Sequence, residues 1–140
     1  TTSNIKDCYP IDIHQVWETV SAVERYHTWR SDVGKTEFLD EKQFIEYSPN
    51  GYPTTFTITA VEQYRRWELD VRTAIQKDTR TIVFASKGNE TVNDFTACVT
   101  AEMLSMRPVG KSVFEQTYLK KAQTQFSDRF KEISPMTMLF

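Results

Sequence analysis

The residues able to do chemistry in this chain of 140 are few and scattered: two cysteines, two histidines, one glycine-lysine-serine run, and several tyrosines and arginines set among apolar residues. Val109-Gly110-Lys111-Ser112 matches the end of a phosphate-binding loop, in which backbone amides and the lysine hold phosphates. That motif also requires a glycine five positions before Gly110, where this chain has Ser105, so nucleotide binding is not expected. Cys8 and Cys98 fall outside any CxxC spacing. Neither a disulfide scaffold nor a cysteine-based zinc site is expected, and both read as free, partly buried thiols. His14 and His27 lack the spacing of a metal-ligand pair. Asn89-Glu90-Thr91 is a glycosylation sequon, which matters only in a secreted chain. No Ser-His-Asp or Cys-His set can be nominated, which leaves no catalytic residue, no metal and no cofactor to expect.

What remains is binding chemistry. Trp29 and Trp67 could line an apolar pocket, although large aromatics in small domains more often form core. Tyr47, Tyr118 and Arg80 could supply polar anchors in such a pocket, against the default that they face water. Hydrophobic residues at 39%, with 9 Phe, 6 Tyr and 3 Trp, indicate a folded chain. A net charge of -2 offers no general attraction to phosphate backbones, so nucleic acid is not an expected partner. No apolar run approaches the roughly 20 residues that cross a bilayer, and Thr1 to Lys6 lack a signal-peptide core. One cytoplasmic domain spanning 1–140, without membrane insertion, is the expectation.

These side chains need a scaffold, and periodicity supplies one. Ile13, Val16, Trp17 and Val20 fall at helical spacing behind Asp12 as N-cap and Gln15 as third residue. Ser21-Ala22-Val23-Glu24 repeats the capping spacing, which predicts a second short helix ending near Trp29. Ser3 to Tyr9 makes an edge strand closed by Pro10. After Asp32 the period becomes two, with turn signals at Asp40-Glu41, Pro49-Asn50-Gly51, Gln63-Tyr64, Lys77-Asp78 and Lys87-Gly88-Asn89. Strands are predicted near Lys35–Leu39, Gln43–Ser48, Thr54–Val61, Arg66–Thr73, Thr79–Ser86 and Thr91–Leu104, seven with the first.

One face of that sheet is apolar. Trp67, Leu69 and Val71 alternate with charged neighbours, as Phe56, Ile58 and Ala60 do with threonines, and Phe95, Ala97, Val99, Ala101 and Met103 continue the pattern. Thr81 to Ala85 is apolar at both parities, so its inner face stays open, with Phe84 one candidate. The cover is a helix over roughly Arg107 to Ile133 whose stripe is Phe114, Tyr118, Leu119, Ala122, Phe126, Phe130 and Ile133. Met136 to Phe140 is expected to fray or to lie on an apolar patch.

The order of strand, two short helices, six-strand meander and long helix resembles the helix-grip fold of the SRPBCC superfamily, which includes START-type lipid-transfer domains and the birch-pollen-allergen family. Ile11-Asp12-Ile13-His14-Gln15-Val16-Trp17-Glu18-Thr19-Val20-Ser21 resembles its first-helix segment and Tyr26-His27-Thr28-Trp29 the segment that follows. Arg65-Arg66-Trp67-Glu68-Leu69, after Phe56-Thr57-Ile58-Thr59, is similar to the bacterial polyketide cyclase/dehydrase-like branch. Where the superfamily usually has a proline before the first helix, this chain has Asp12.

The resemblance implies an α+β fold in which a seven-stranded curved antiparallel sheet wraps the long helix and leaves a cavity between them. Trp29, Phe56, Ile58, Trp67, Leu69, Phe84, Phe95, Val99, Tyr118, Ala122 and Phe126 are its expected lining, with Tyr47 and Arg80 as polar anchors. The expected partner is a small hydrophobic molecule, lipid-, sterol- or polyketide-like, that is carried or sensed. The alternatives are a polyketide cyclase or dehydratase-type enzyme and a protein-interaction module on the same fold.

Overall fold

Asp12 starts the first helix. Its carboxylate accepts from the His14 backbone N–H at 2.8 Å, satisfying one of the amides that a helix start leaves open. α1 (Ile13–Ser21) then buries Val16, Trp17 and Val20, as its spacing predicts. The computed structural model describes the backbone of residues 1–102 and 108–134 and the side chains of 1–101 and 115–134. The expected tail, Met136 to Phe140, lies outside the described residues, as do Leu104 and Ser105 and the side chains of Met103, Phe114 and the run from Val109 to Ser112.

The second helix differs from expectation. Ser21 ends α1 rather than capping a new helix, because its Oγ donates back to the Trp17 carbonyl at 2.8 Å. A 3₁₀ helix, Val23–Thr28, follows without a side-chain cap. The Tyr26 hydroxyl, buried, donates to the Val20 carbonyl and ties the two short helices together.

Seven strands form one antiparallel sheet: β1 (Thr2–Tyr9), β2 (Lys35–Phe38), β3 (Gln43–Tyr47), β4 (Pro53–Glu62), β5 (Arg66–Arg72), β6 (Gln76–Lys87) and β7 (Glu90–Glu102). Their order is β1-β7-β6-β5-β4-β3-β2, a meander with the first strand added beside the last. β6 puts Ile82 and Phe84 inward and leaves Val83 and Ala85 exposed, which settles the face that its composition left open.

Two expected faces are wrong past irregularities in register. The pairing shifts between Ile58 and Ala60, so Ala60 stands opposite Glu68 and leaves the apolar face. A second shift sets Val99 opposite Asp78 and Ala101 opposite Lys77, which turns exposed Ala101 outward. Lys77-Asp78 is not a turn either. The turn comes earlier, where Thr73 Oγ1 accepts from the backbone N–H groups of Ile75 and Gln76, and Asp78 lies buried within β6. At Gln63-Tyr64 the turn forms as predicted, with Tyr64 at φ 64°, a conformation unfavourable for a side chain with a Cβ. Its ring packs on His14 at 4.6 Å and on Trp17 at 6.0 Å, contacts that offset the strain.

α2 (Pro108–Ile133) extends about 39 Å and crosses the inner face, burying Leu119, Phe126 and Phe130. Among the described residues no helix is long and apolar enough to cross a membrane. Gln123, also buried, fixes where α2 meets the sheet. Ser3 Oγ donates to its Oε1 at 2.7 Å, while its Nε2 donates to the carbonyls of Phe95 and Ser3 at 2.9 and 3.0 Å. Gln123→Leu therefore strands buried polar groups, and urea unfolding is expected to show a loss of about 1–3 kcal/mol. An unchanged midpoint would show that water replaces the amide.

Candidate functional site

Alternation on β3 places Phe44 and Glu46 on the inner face, opposite Phe56 and Thr54 of β4. Glu46 is thereby carried beneath α2, and two arginines come to meet its neighbourhood. Arg30 arrives from the end of the 3₁₀ helix, its backbone N–H donating to the Tyr26 carbonyl at 2.8 Å. Arg80 stands on the inner face of β6, two residues from Asp78 and two from Ile82.

Each arginine is held by carboxylates and rings. Arg30 grips Asp32 through Nε and Nη2 at 3.2 and 2.8 Å and reaches Glu46 through Nη1 at 3.1 Å. Its guanidinium lies over the Tyr26 and Phe126 rings, at 5.1 and 5.8 Å from their centroids. Arg80 donates through Nε to Asp78 at 3.0 Å and through Nη2 to the Tyr118 hydroxyl at 3.2 Å. Phe56 flanks it at 5.5 Å. Asp78 is buried, and its Oδ2 has no hydrogen-bond partner among the described residues.

This network separates two spaces. Inside it is a cavity of about 20 Å³, room for about one water, lined by Phe44, Phe56, Trp67, Leu69, Phe95 and Phe126 together with Arg30, Glu46 and Arg80. Outside it is a hollow of about 210 Å³ beneath α2, lined by Asp32, Tyr118, Lys121, Ala122 and Gln125 with Arg30, Glu46, Phe56 and Arg80 again. The four shared residues, Arg30, Glu46, Phe56 and Arg80, form the wall between them. The open apolar cavity that the resemblance implies is thus nearly filled in this structure, by the aromatic side chains that meet under α2.

Of the expected lining, Phe56, Trp67, Leu69, Phe95 and Phe126 surround the inner cavity, and Tyr118 and Ala122 the hollow. Phe84 packs instead against Trp17 at 5.3 Å, and Ile58 and Val99 pack at the core margin without lining either space. Trp29 meets Tyr26 and Phe126 edge-on, with the Arg129 guanidinium over its outer side, and faces surface grooves. Arg80 reaches the site, whereas Tyr47 does not: it alternates to the other face of β3, where its hydroxyl donates to Glu37 at 3.0 Å. Sequence reasoning missed Arg30, Asp32, Glu46 and Asp78. Parity was the available signal, since Glu46 follows Phe44 by two and Asp78 precedes Arg80 by two.

Burial pushes the Glu46 carboxyl above its ordinary 4.5, against the pull of Arg30 and Arg80. It also raises Asp78 above 3.8, with Arg80 opposing. Burial likewise acts to raise Asp32, but the bonds and charge of Arg30 outweigh it and hold Asp32 low. Glu46 and Asp78 retain protons in the native chain at pH values where the unfolded chain has released them. Their contribution to stability is therefore full below about pH 4 and falls as pH rises from there through their native pKa values. Asp32 acts in the opposite sense and loses its contribution as pH falls below its ordinary 3.8. Urea unfolding of the wild type against Asp78→Asn is expected to show a steeper decline with rising pH in the wild type. Parallel profiles would refute it.

The fold has many solved counterparts. A START superfamily protein from Mycobacterium smegmatis superposes with a TM-score of 0.72 at 11% identity, covering 95% of this chain and 99% of that one. The chain has the START-superfamily fold. Similar agreement holds for MLL2253 from Mesorhizobium loti, at TM-score 0.72, 14% identity and coverage of 94% and 95%. CalU16 from Micromonospora echinospora gives 0.66 at 13% identity, covering 98% of this chain and 79% of that one. No family model and no curated protein matches the sequence. At these identities the START-like likeness concerns architecture: the helix-grip arrangement of seven strands around one long helix.

Proposed function

We propose that this START-like chain binds a small hydrophobic molecule between the sheet and α2. The observation that carries the reading is the pair of spaces under α2, an apolar interior and a larger hollow at the surface, divided only by the side chains of Arg30, Glu46, Phe56 and Arg80. A molecule seated there would lie with its apolar part toward Trp67, Leu69 and Phe126, which must part to admit it. Burying about 300 Å² of apolar surface supplies roughly 7 kcal/mol before the cost of association, so micromolar affinity is the ceiling without polar contacts. Native mass spectrometry of the purified chain, with titration by the neutral dye N-phenylnaphthylamine, tests the reading. Binding is expected in the wild type and lost in Leu69→Trp, whose larger side chain fills the interior. No retained molecule and no dye binding would end the proposal.

One observation favours a second reading, an enzyme of the cyclase or dehydratase type. Glu46 and Tyr118 line the same hollow, and a carboxyl group with a raised pKa can take up and return a proton. Exchange of an α-deuteron from a β-diketone probe, dependent on Glu46, would support it. Exchange at the buffer rate would exclude it for that substrate class.

A further inference from the structure

The charge and hydrogen-bond arrangement between the inner cavity and the hollow says what kind of head group fits there. Arg30 and Arg80 face three carboxylates, Asp32, Glu46 and Asp78. The arginines and Glu46 are buried, Asp78 lies behind Arg80, and Asp32 is part-exposed at the outer side. Lys121, at the rim of the hollow, is exposed, where solvent screens its charge. The two buried arginines are matched by the two buried carboxylates, Glu46 and Asp78, and Asp32 adds a negative charge at the outer side. A carboxylate brought against these groups would add an unmatched negative charge in a poorly hydrated space, and an ammonium an unmatched positive one.

Two atoms of the residues between the two spaces nevertheless have unused hydrogen-bonding capacity among the described residues. Arg80 spends Nε on Asp78 and Nη2 on Tyr118, and its Nη1 makes no hydrogen bond among the described residues. Glu46 accepts from Arg30 through Oε2, and its Oε1 accepts none among the described residues. Both residues line the inner cavity and the hollow alike. A donor and an acceptor are thus offered by residues that border the apolar interior, within a network in which the buried Oδ2 of Asp78 has no hydrogen-bond partner among the described residues.

We propose that the bound molecule carries a neutral polar end that both accepts and donates a hydrogen bond, such as a primary amide or a hydroxyl, its acceptor meeting Arg80 and its donor meeting Glu46. The inference rests on the binding reading above and narrows it to neutral amphiphiles. The charge balance selects against ionised heads, while the free donor and acceptor select against bare hydrocarbon.

A matched series on one ring separates these alternatives: benzamide, benzyl alcohol, benzoate, benzylammonium and toluene, titrated into the folded chain by NMR with the Arg80 side-chain Nε–H as one reporter. Benzamide and benzyl alcohol are expected to bind about tenfold more tightly than benzoate or benzylammonium and to shift the Arg80 signal. Tightest binding by benzoate or benzylammonium overturns the neutral head. Toluene binding as tightly as benzamide also overturns it while leaving hydrophobic binding intact, and absence of binding by every member ends both readings. In Glu46→Gln, which leaves one buried arginine charge unmatched in the interior, benzoate is expected to gain about tenfold on benzamide. An unchanged ratio in the folded variant counts against the proposal, and if that variant does not fold, the wild-type series decides alone.

Discussion

Phe130→Ala is expected to lower the unfolding free energy by about 3–5 kcal/mol, enough to remove much of the stability of a domain this size. Phe130 is fully buried on α2, and its ring meets that of Tyr9 at 5.1 Å with the planes at 59°. Tyr9 ends β1, which is paired to β7 from Thr2 to Tyr9 and held again by Gln123. The surroundings are therefore fixed on two sides and cannot readily close on the space that the ring leaves. A lost ring in a rigid site adds a cavity cost to the lost transfer energy, which is why the upper part of the range applies. Phe38→Ala is the contrast, since Phe38 is 54% exposed, and a change within about 0.5 kcal/mol is expected there. Urea unfolding of both variants measures the difference. A loss below about 1 kcal/mol at Phe130 would mean that α2 relaxes onto the sheet and that its docking is looser than the packing implies.

Phe130 also shows what could be read without coordinates. Phe130 belongs to a helical stripe, and Trp67, Leu69 and Val71 to a strand alternation, and both patterns report burial because apolar groups repeat at the period of the element. The polar site obeys those periods too. Glu46 shares the parity of Phe44, and Gln76 and Asp78 that of Arg80 and Ile82, but a charged residue reads as wet unless its partner is known. Those partners are distant in sequence: Arg30 lies on another element from Glu46, and Tyr118 on another from Arg80. Lys77-Asp78 misled for a local reason, because its composition suits a turn, whereas Thr73 closes the actual turn through its hydroxyl. Parity itself fails at the register shifts beyond Ile58 and beside Val99, where one additional residue turns Ala60 and Ala101 to the other face. No spacing rule marks those positions, since the shift arises from how neighbouring strands pair. The volume left inside was equally illegible, because it depends on how Tyr26, Phe44, Trp67 and Phe126 share the space under α2.

Arg80→Met is expected to cost about 3–5 kcal/mol, since it leaves the Asp78 carboxylate buried without its cation. Part of that cost is relieved by proton uptake at Asp78, so the loss should be smaller in mildly acidic solution than at neutral pH. The double variant Arg80→Met, Asp78→Leu removes both charges and the unpartnered Oδ2 together, replacing them with groups that suit Phe56, Leu69 and Val99 around them. It is expected to recover most of the loss and can match or exceed the wild type, because a buried ion pair is often no more stabilising than a packed apolar pair. A stable double variant that no longer distinguishes benzamide from toluene would show that the pair is retained for recognition. Recovery of stability with selectivity intact would place the polar end of the ligand elsewhere, on Arg30 and Glu46 alone. If the double variant is as unstable as Arg80→Met, the guanidinium stacked between Phe56 and Tyr118 is itself a structural member of the core, through its packing and its bond to the Tyr118 hydroxyl. Urea unfolding of the two variants and the wild type at two pH values, together with the same ligand pair, separates these outcomes.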